Sequence, residues 1–203
     1  MVKLGCVVMA AGNARRFGEN KLAAQLRGRS LILRALEAVP AGDLQTTVVV
    51  TQYPEIMRLA GEFHFSAVHN DHPEYGISHT IELGLTALRD CEGAMFMVSD
   101  QPLLRRESVA ALARFWREQP DKPAALAHGG IRGNPCVFPA RLYPELLALT
   151  EDHGGNTVIR RHEGDLRLLE APEEELTDVD TAEALDELET GCPPTGAPGH
   201  FLV

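Results

Sequence analysis

A chain of 203 residues, 44% hydrophobic and 24% charged, has enough apolar surface for one sizeable core and is awkward for two. Its net charge of −10, with the acidic excess gathered between Glu170 and Glu189, argues against a general nucleic-acid surface and reads as a solvated turn and helix face. No stretch approaches the ~18 apolar residues of a membrane span, the amino terminus runs straight into a strand with no signal segment, and four cysteines without paired spacing (Cys6, Cys91, Cys136, Cys192) suit buried thiols in a reducing compartment, so a cytoplasmic location is expected.

The first apolar run, Leu4 to Met9, predicts a buried strand. Ala10, Ala11 and Gly12 then let the backbone turn tightly and approach a ligand, and Arg15, Arg16 and Lys21 follow. Exposed amides and cations in this order suit a polyphosphate. A Walker A loop would need Gly-Lys-Ser/Thr, but Glu19 follows Gly18 and Leu22 follows Lys21; a dinucleotide fingerprint would need glycine at position 14, which is Ala14. The segment is a phosphate loop of a third kind.

Thr46–Thr51 is β-branched and predicts a second strand, Pro54–Phe63 a helix opened by proline, and His64–His69 a third strand. Ile77–Arg89 carries Ile81, Leu85 and Leu88 at helical spacing, Ala94–Val98 has the fully apolar form of a central parallel strand, and Arg106–Glu118 is again helical. Strands at Ala124–Ala127 and Cys136–Phe138 flank a glycine-rich turn, His128–Gly133; helices are expected at Arg141–Leu149, Gly155–His162 and Thr181–Leu188, with a strand at Leu166–Leu169. This alternation is that of an α/β domain with a single doubly wound, mostly parallel sheet and helices on both faces. It spans residues 1–190, and 191–203 has the composition of a flexible tail.

In such a sheet a ligand lies beyond the carboxyl ends of the strands. Gly12–Lys21 follows the first strand and Asp100 follows the strand ending at Val98, so both fall at one edge. Read alone, Asp100-Gln101-Pro102 is a turn former and Asp178-Val179-Asp180-Thr181 a helix cap. His69 and His72 have a spacing seen in metal sites, yet no third ligand of the right type accompanies them.

Ala10-Ala11-Gly12-x-x-x-Arg16-Phe17-Gly18-x-x-Lys21 resembles the signature of the MobA-like nucleotidyltransferases, closest to the molybdenum cofactor cytidylyltransferases. The resemblance recurs in order at Asn70–Leu85, Ser99-Asp100-Gln101-Pro102, Gly133-Asn134-Pro135, Asp152-His153-Gly154-Gly155 and Asp178–Thr181, covering roughly residues 1–190. It implies a Rossmann-like nucleotidyltransferase fold and transfer of CMP from CTP to the phosphate of molybdenum-molybdopterin, with release of pyrophosphate. The implied cofactor is Mg²⁺. The implied partners are the two small-molecule substrates and a molybdenum hydroxylase or its maturation chaperone, with neither nucleic acid nor membrane.

Residue by residue, the resemblance assigns Arg16 and Lys21 to the β- and γ-phosphates and, with Asp100, to catalysis; it assigns Asp100 and Asp180 to the metal, with Asp178 as the alternative to Asp180. Ala10, Ala11, Gly12, Asn70, Gly76, Ser78 and Thr80 would line the nucleotide, and Gly133, Asn134, Pro135, Gly154 and Gly155 the acceptor. Family members using GTP tend to carry a second glycine where Ala11 stands, so Ala11 implies CTP. The chain also departs from the pattern: Ser99 replaces a glycine, Gln101 stands where methionine is common, and Asn156 replaces an arginine near the acceptor. Arg160 and Arg161, a helical turn on, are the sequence candidates for the missing cation. Other readings the residues leave open are another phosphorylated acceptor, GTP as donor, and a non-catalytic protein delivering cofactor to a hydroxylase.

Overall fold

A computed structural model describes residues 2–12 and 21–190. Its frame is a seven-stranded sheet in which β1 (Leu4–Ala10), β4 (Thr46–Thr51), β5 (Ser66–His69) and β6 (Gly93–Val98) run parallel. β7 (Ala124–His128) and β9 (Arg167–Glu170) continue that direction, and only β8 (Ile131–Pro139) runs against it. The order across the sheet is β5-β4-β1-β6-β8-β7-β9. β1 therefore sits between two parallel neighbours, and its unbroken apolar sequence is what burial on both faces requires.

Alternation along β1 divides the core. Leu4, Cys6, Val8 and Ala10 face α1 (Leu31–Glu37), α2 (Pro54–Glu62) and α4 (Arg106–Glu118), whose Leu36, Ile56 and Trp116 join the same cluster. Val7 faces α3 (Ile77–Ala87), α5 (Tyr143–Leu147) and α6 (Asn156–Arg161), through Ile81, Leu146 and Ile159. A third, smaller cluster joins Leu26 of the two-residue pairing β2 (Gln25–Leu26) and β3 (Arg29–Ser30) to Leu31, Val179 and α7 (Ala182–Thr190). Among the described residues no helix is long and apolar enough to cross a membrane.

The expected elements recur with local differences. β5 begins at Ser66 because His64 takes a left-handed φ of 59°. The glycine-rich turn shrinks to Gly129 and Gly130, whose φ values of 56° and 77° suit glycine, and β8 starts at once with Ile131. Gly133-Asn134-Pro135 lies within β8, with a cis Asn134–Pro135 bond. The helix expected over Arg141–Leu149 is a 3-10 turn, Ala140–Leu142, followed by the short α5 with proline in its first turn. α1 was missing from the sequence expectations, although Ser30 caps it, its hydroxyl accepting from the Leu33 N–H at 3.3 Å, and its apolar residues recur at helical spacing.

Gly93 opens β6 against the fully buried Trp116 of α4; a Cβ there would lie 2.4 Å from two ring carbons. G93A is therefore expected to lower stability by about 1–3 kcal/mol, seen as a lower urea midpoint at unchanged m value.

Candidate active site

The turn after β1 is braced from β4. Thr51 Oγ1 donates to the Ala10 carbonyl at 2.8 Å, Gln52 Nε2 to that of Ala11 at 2.9 Å, and the Tyr53 hydroxyl to that of Gly12 at 3.5 Å. With its carbonyls engaged on the β4 side, the turn is held at the carboxyl edge of the sheet. Ser99 at the end of β6 donates to the Met9 carbonyl at 2.9 Å, so the hydroxyl standing where a glycine was expected ties the two central strands together at that edge. Arg15 and Arg16 lie outside the described residues.

Lys21 gathers the site. Its Nζ lies 3.0 Å from Asp100 Oδ2 and 2.9 Å from Asp180 Oδ1. Burial is the largest influence on this ammonium and draws its pKa down; the charge of Asp100 and the hydrogen bonds to Asp180 and Asp100 outweigh it, and the pKa ends above its ordinary value. Lys21 is thus a fixed cation. Asp180 does not cap α7, because Thr181 Oγ1 accepts from the Ala184 N–H at 3.1 Å, and its carboxylate remains 60% exposed to solvent. The cap and the candidate ligand are adjacent residues with separate duties.

The segment carrying Asp178 and Asp180 is laid against the loop after β6. Val179 N–H donates to the Asp100 carbonyl at 2.8 Å. Gln101 Nε2 donates to the Leu176 carbonyl at 3.2 Å and to Asp178 Oδ1 at 2.9 Å. Glu175, almost fully buried, accepts from the Arg105 N–H at 3.1 Å just before α4. Gln101, at a position where methionine was the common alternative, is therefore the clamp of this segment, a role its sequence context did not signal. Asp178 is pushed up to about 7, first by burial and then by the neighbouring charge of Asp100, with the Gln101 hydrogen bond opposing.

Asp100 Oδ1 and Gln101 Oε1 are buried with no hydrogen-bond partner among the described residues. Two carboxylates converging on one ammonium, one of them with a buried spare oxygen, make a hard-oxygen donor set that fits a magnesium-like ion, which keeps several of its own waters. Among the described residues no three His, Cys, Asp or Glu side chains group as a metal site. His72, the residue whose spacing from His69 drew attention, instead holds Glu74 through Nδ1 at 2.9 Å and stacks on Tyr75.

The remaining residues form the other flank. Asn70 is buried; its Nδ2 donates to Thr80 Oγ1 at 3.1 Å and its Oδ1 accepts from the His72 N–H at 3.0 Å, so the pair braces the loop before α3. Gly76 has a φ of 85°, and a Cβ there would come within 2.4 Å of the Glu151 carbonyl. The Ser78 N–H donates to that carbonyl at 3.1 Å, which seats the loop before α3 on the segment leading to Gly154 and Gly155. Gly133, Asn134 and Pro135 are buried in β8. Of the two arginines proposed to replace a cation at Asn156, Arg161 is drawn to Glu145 at 3.5 Å; the guanidinium that reaches Asn156 is that of Arg132, at 2.6 Å.

A mostly parallel sheet thus carries a tight turn after its first strand and an aspartate after the adjacent one, at one edge. Residues 6–166 match the model of the MobA-like NTP transferase domain. The chain belongs to that family. It is 27% identical over 193 residues to the purine catabolism protein PucB of Bacillus subtilis, covering 89% of this chain and 93% of that one. It is 30% identical over 133 residues to a Bacillus licheniformis protein named "Probable molybdenum cofactor guanylyltransferase", 64% of this chain and 65% of that one. Among solved structures, a nucleotidyl transferase from Methanothermobacter superposes with a TM-score of 0.77 at 21% identity, over 94% of this chain and 97% of its own. A Mycobacterium tuberculosis protein in complex with manganese does so with a TM-score of 0.69 at 18% identity, over 93% and 99%.

Asp178 sets a pH dependence. A carboxyl whose folded pKa is raised from 3.8 to about 7 binds its proton more tightly folded than unfolded, so its contribution to stability falls as pH rises between those values and stays at its low level above them. In chelator-treated protein, D178N is expected to raise the melting temperature by about 3 °C or more at pH 8 and to change it little at pH 4, the substituted amide oxygen still accepting from Gln101. Equal shifts at both pH values would refute the assignment.

Proposed function

We propose that the protein transfers CMP from CTP to the phosphate of molybdenum-molybdopterin, giving molybdopterin cytosine dinucleotide and pyrophosphate. An acceptor phosphate oxygen attacks the α-phosphorus of CTP, the bond from that phosphorus to the bridging oxygen breaks, and pyrophosphate leaves with the electron pair. The attacking group is already an anion, so the step needs no general base, only alignment and charge neutralisation. The observation that carries this reading is Lys21, held between Asp100 and Asp180 at 3.0 and 2.9 Å: a fixed cation and two carboxylates where the phosphate turn meets the end of β6.

In this reading Lys21 and Arg16 neutralise the β- and γ-phosphates, Lys21 as a point charge and Arg16 as a planar fork. Asp100 and Asp180 would hold Mg²⁺, which when bound supplies Lewis-acid charge to the phosphate oxygens. Ala10, Ala11 and Gly12, with Asn70, Gly76, Ser78 and Thr80, shape the nucleotide subsite; Gly133, Asn134, Pro135, Gly154 and Gly155 shape that of the acceptor. The choice of CTP rests on Ala11, a buried residue that stands where family members using GTP tend to carry a second glycine. The relative named for guanylyl transfer makes GTP the alternative donor. A molybdenum hydroxylase is the receiver this product would serve.

The test is pyrophosphate release from CTP and from GTP with Mg²⁺, with and without molybdenum-loaded molybdopterin. Release with CTP and acceptor together is expected; release with GTP instead would overturn the base assignment, and release with neither in folded protein would overturn the acceptor. D100A is expected to cut turnover by about 10²-fold or more while leaving the melting transition in place, whereas a protein that merely carries cofactor would be indifferent to it.

A further inference from the structure

Two aspartates one residue apart are used differently. Asp180 meets the Lys21 ammonium at 2.9 Å, beside Asp100 at 3.0 Å, whereas Asp178 is taken by Gln101, whose Nε2 donates to its Oδ1 at 2.9 Å. Among the described residues Asp100, Asp178 and Asp180 do not group as one three-carboxylate metal site. An amide keeps Asp178 out of the pair. Gln101 follows Asp100 directly and is buried. A glutamine amide carries two N–H donors, and both have acceptors here, Asp178 Oδ1 and, at 3.2 Å, the Leu176 carbonyl. These bonds fix the direction of the amide and leave Oε1 buried with no hydrogen-bond partner among the described residues. A buried acceptor in that position is costly, and methionine, of similar length, has no such oxygen to bury. Packing alone therefore does not account for glutamine at this position; its distinct contribution is the grip of Nε2.

That grip falls on the segment that leads into Asp180. The Asp100 carbonyl accepts from the Val179 N–H at 2.8 Å. Two neighbouring residues of the loop after β6 thus hold Leu176, Asp178 and Val179 through three hydrogen bonds. Asp180 is the next residue in the chain, and its exposed carboxylate is open to an ion arriving from solvent. Asp178 is more enclosed and already accepts from a donor. We propose that Gln101 is the positioning residue of the metal site: by occupying Asp178 it leaves Asp180, beside Asp100, as the aspartate that meets a divalent cation. The proposal rests on the metal-binding part of the nucleotidyl-transfer reading and gives the reason that Asp180 rather than Asp178 serves there.

The test is binding of Mn²⁺, used in place of Mg²⁺ and read by the loss of the free ion's EPR signal, with and without CTP and with no acceptor present. Wild type is compared with Q101M, a second apolar variant Q101L, D178N and D180N, together with the melting temperature of each. Wild type is expected to bind the ion. Q101M and Q101L are expected to raise its Kd by about 10- to 100-fold, the range for an outer residue that orients a ligand, and D178N, whose amide oxygen still accepts from Gln101, by less than about threefold. D180N, which loses a ligand, should weaken binding at least as much as Q101M. A merely structural role for Gln101 would lower the melting temperature and leave the Kd of the folded protein where it was. Wild-type affinity in either folded Gln101 variant overturns the proposal. So does a loss in D178N equal to that in D180N, which would make Asp178 a ligand and Gln101 its competitor; this comparison leaves Gln101 untouched and decides the matter even if neither apolar variant folds. If wild type binds no Mn²⁺ even with CTP, the metal site of the proposed function falls and the role of Gln101 with it. If wild type binds Mn²⁺ and the Gln101 variants do not, yet no pyrophosphate is released with CTP or GTP, the transfer reading falls and the role of Gln101 stands.

Discussion

One ammonium group holds together three stretches of chain that are distant in sequence. Lys21 reaches Asp100, 79 residues on, and Asp180, 159 residues on. Taking a lysine largely out of water is costly unless opposite charge comes with it, and here two carboxylates do. The same two carboxylates, without a cation between them, would repel one another. Neither Lys21 nor the segment bearing Asp180 belongs to the central sheet, so this contact registers both of them against the end of β6.

The aspartate segment shows how the chain enforces that register. Its backbone donates to the Asp100 carbonyl, and Gln101 grips both Leu176 and Asp178. Buried Glu175 anchors the start of the segment to the entrance of α4, while Val179 fills the small apolar cluster shared with Leu26, Leu31 and α7. Polar clamps on one side and an apolar plug on the other leave Asp180 at a definite place although its side chain is exposed. Position is thereby separated from burial, as the proposed role of Asp180 in holding a metal ion requires.

Much of the fold was legible because its signals are local. β-branched and apolar runs at Leu4–Met9, Thr46–Thr51 and Ala94–Val98 have the length and composition of buried strands and form them, and the helical spacing of Val109, Leu112, Ala113 and Trp116 marks one face of α4. Lys21 and Asp100 were legible as candidates because the edge rule for parallel sheets gathers them, and Asp180 because the order of motifs repeats a family pattern. Less legible were the groups whose purpose is another residue: Ser99 tying β6 to β1, Gln101 holding Asp178, Asn70 engaging Thr80, and Arg132 reaching Asn156. Each is a side chain of ordinary type whose partner lies between 10 and 90 residues away, and no periodicity encodes such a distance. The turn expected over His128–Gly133 narrows to Gly129 and Gly130 for a related reason, since which residues of such a run pair into strands depends on neighbours that only the fold supplies.

The sequence by itself determined the class of fold, the family and the candidate residues that fall at one edge of the sheet. These follow from patterns a few residues long, repeated in a set order. Tertiary structure decided how those residues are paired: that Lys21 bridges Asp100 and Asp180, that Thr181 rather than Asp180 caps α7, and that the cation beside Asn156 is Arg132. The physical reason is that charge pairing and hydrogen bonding act at about 3 Å, and only the folded chain sets which groups come that close.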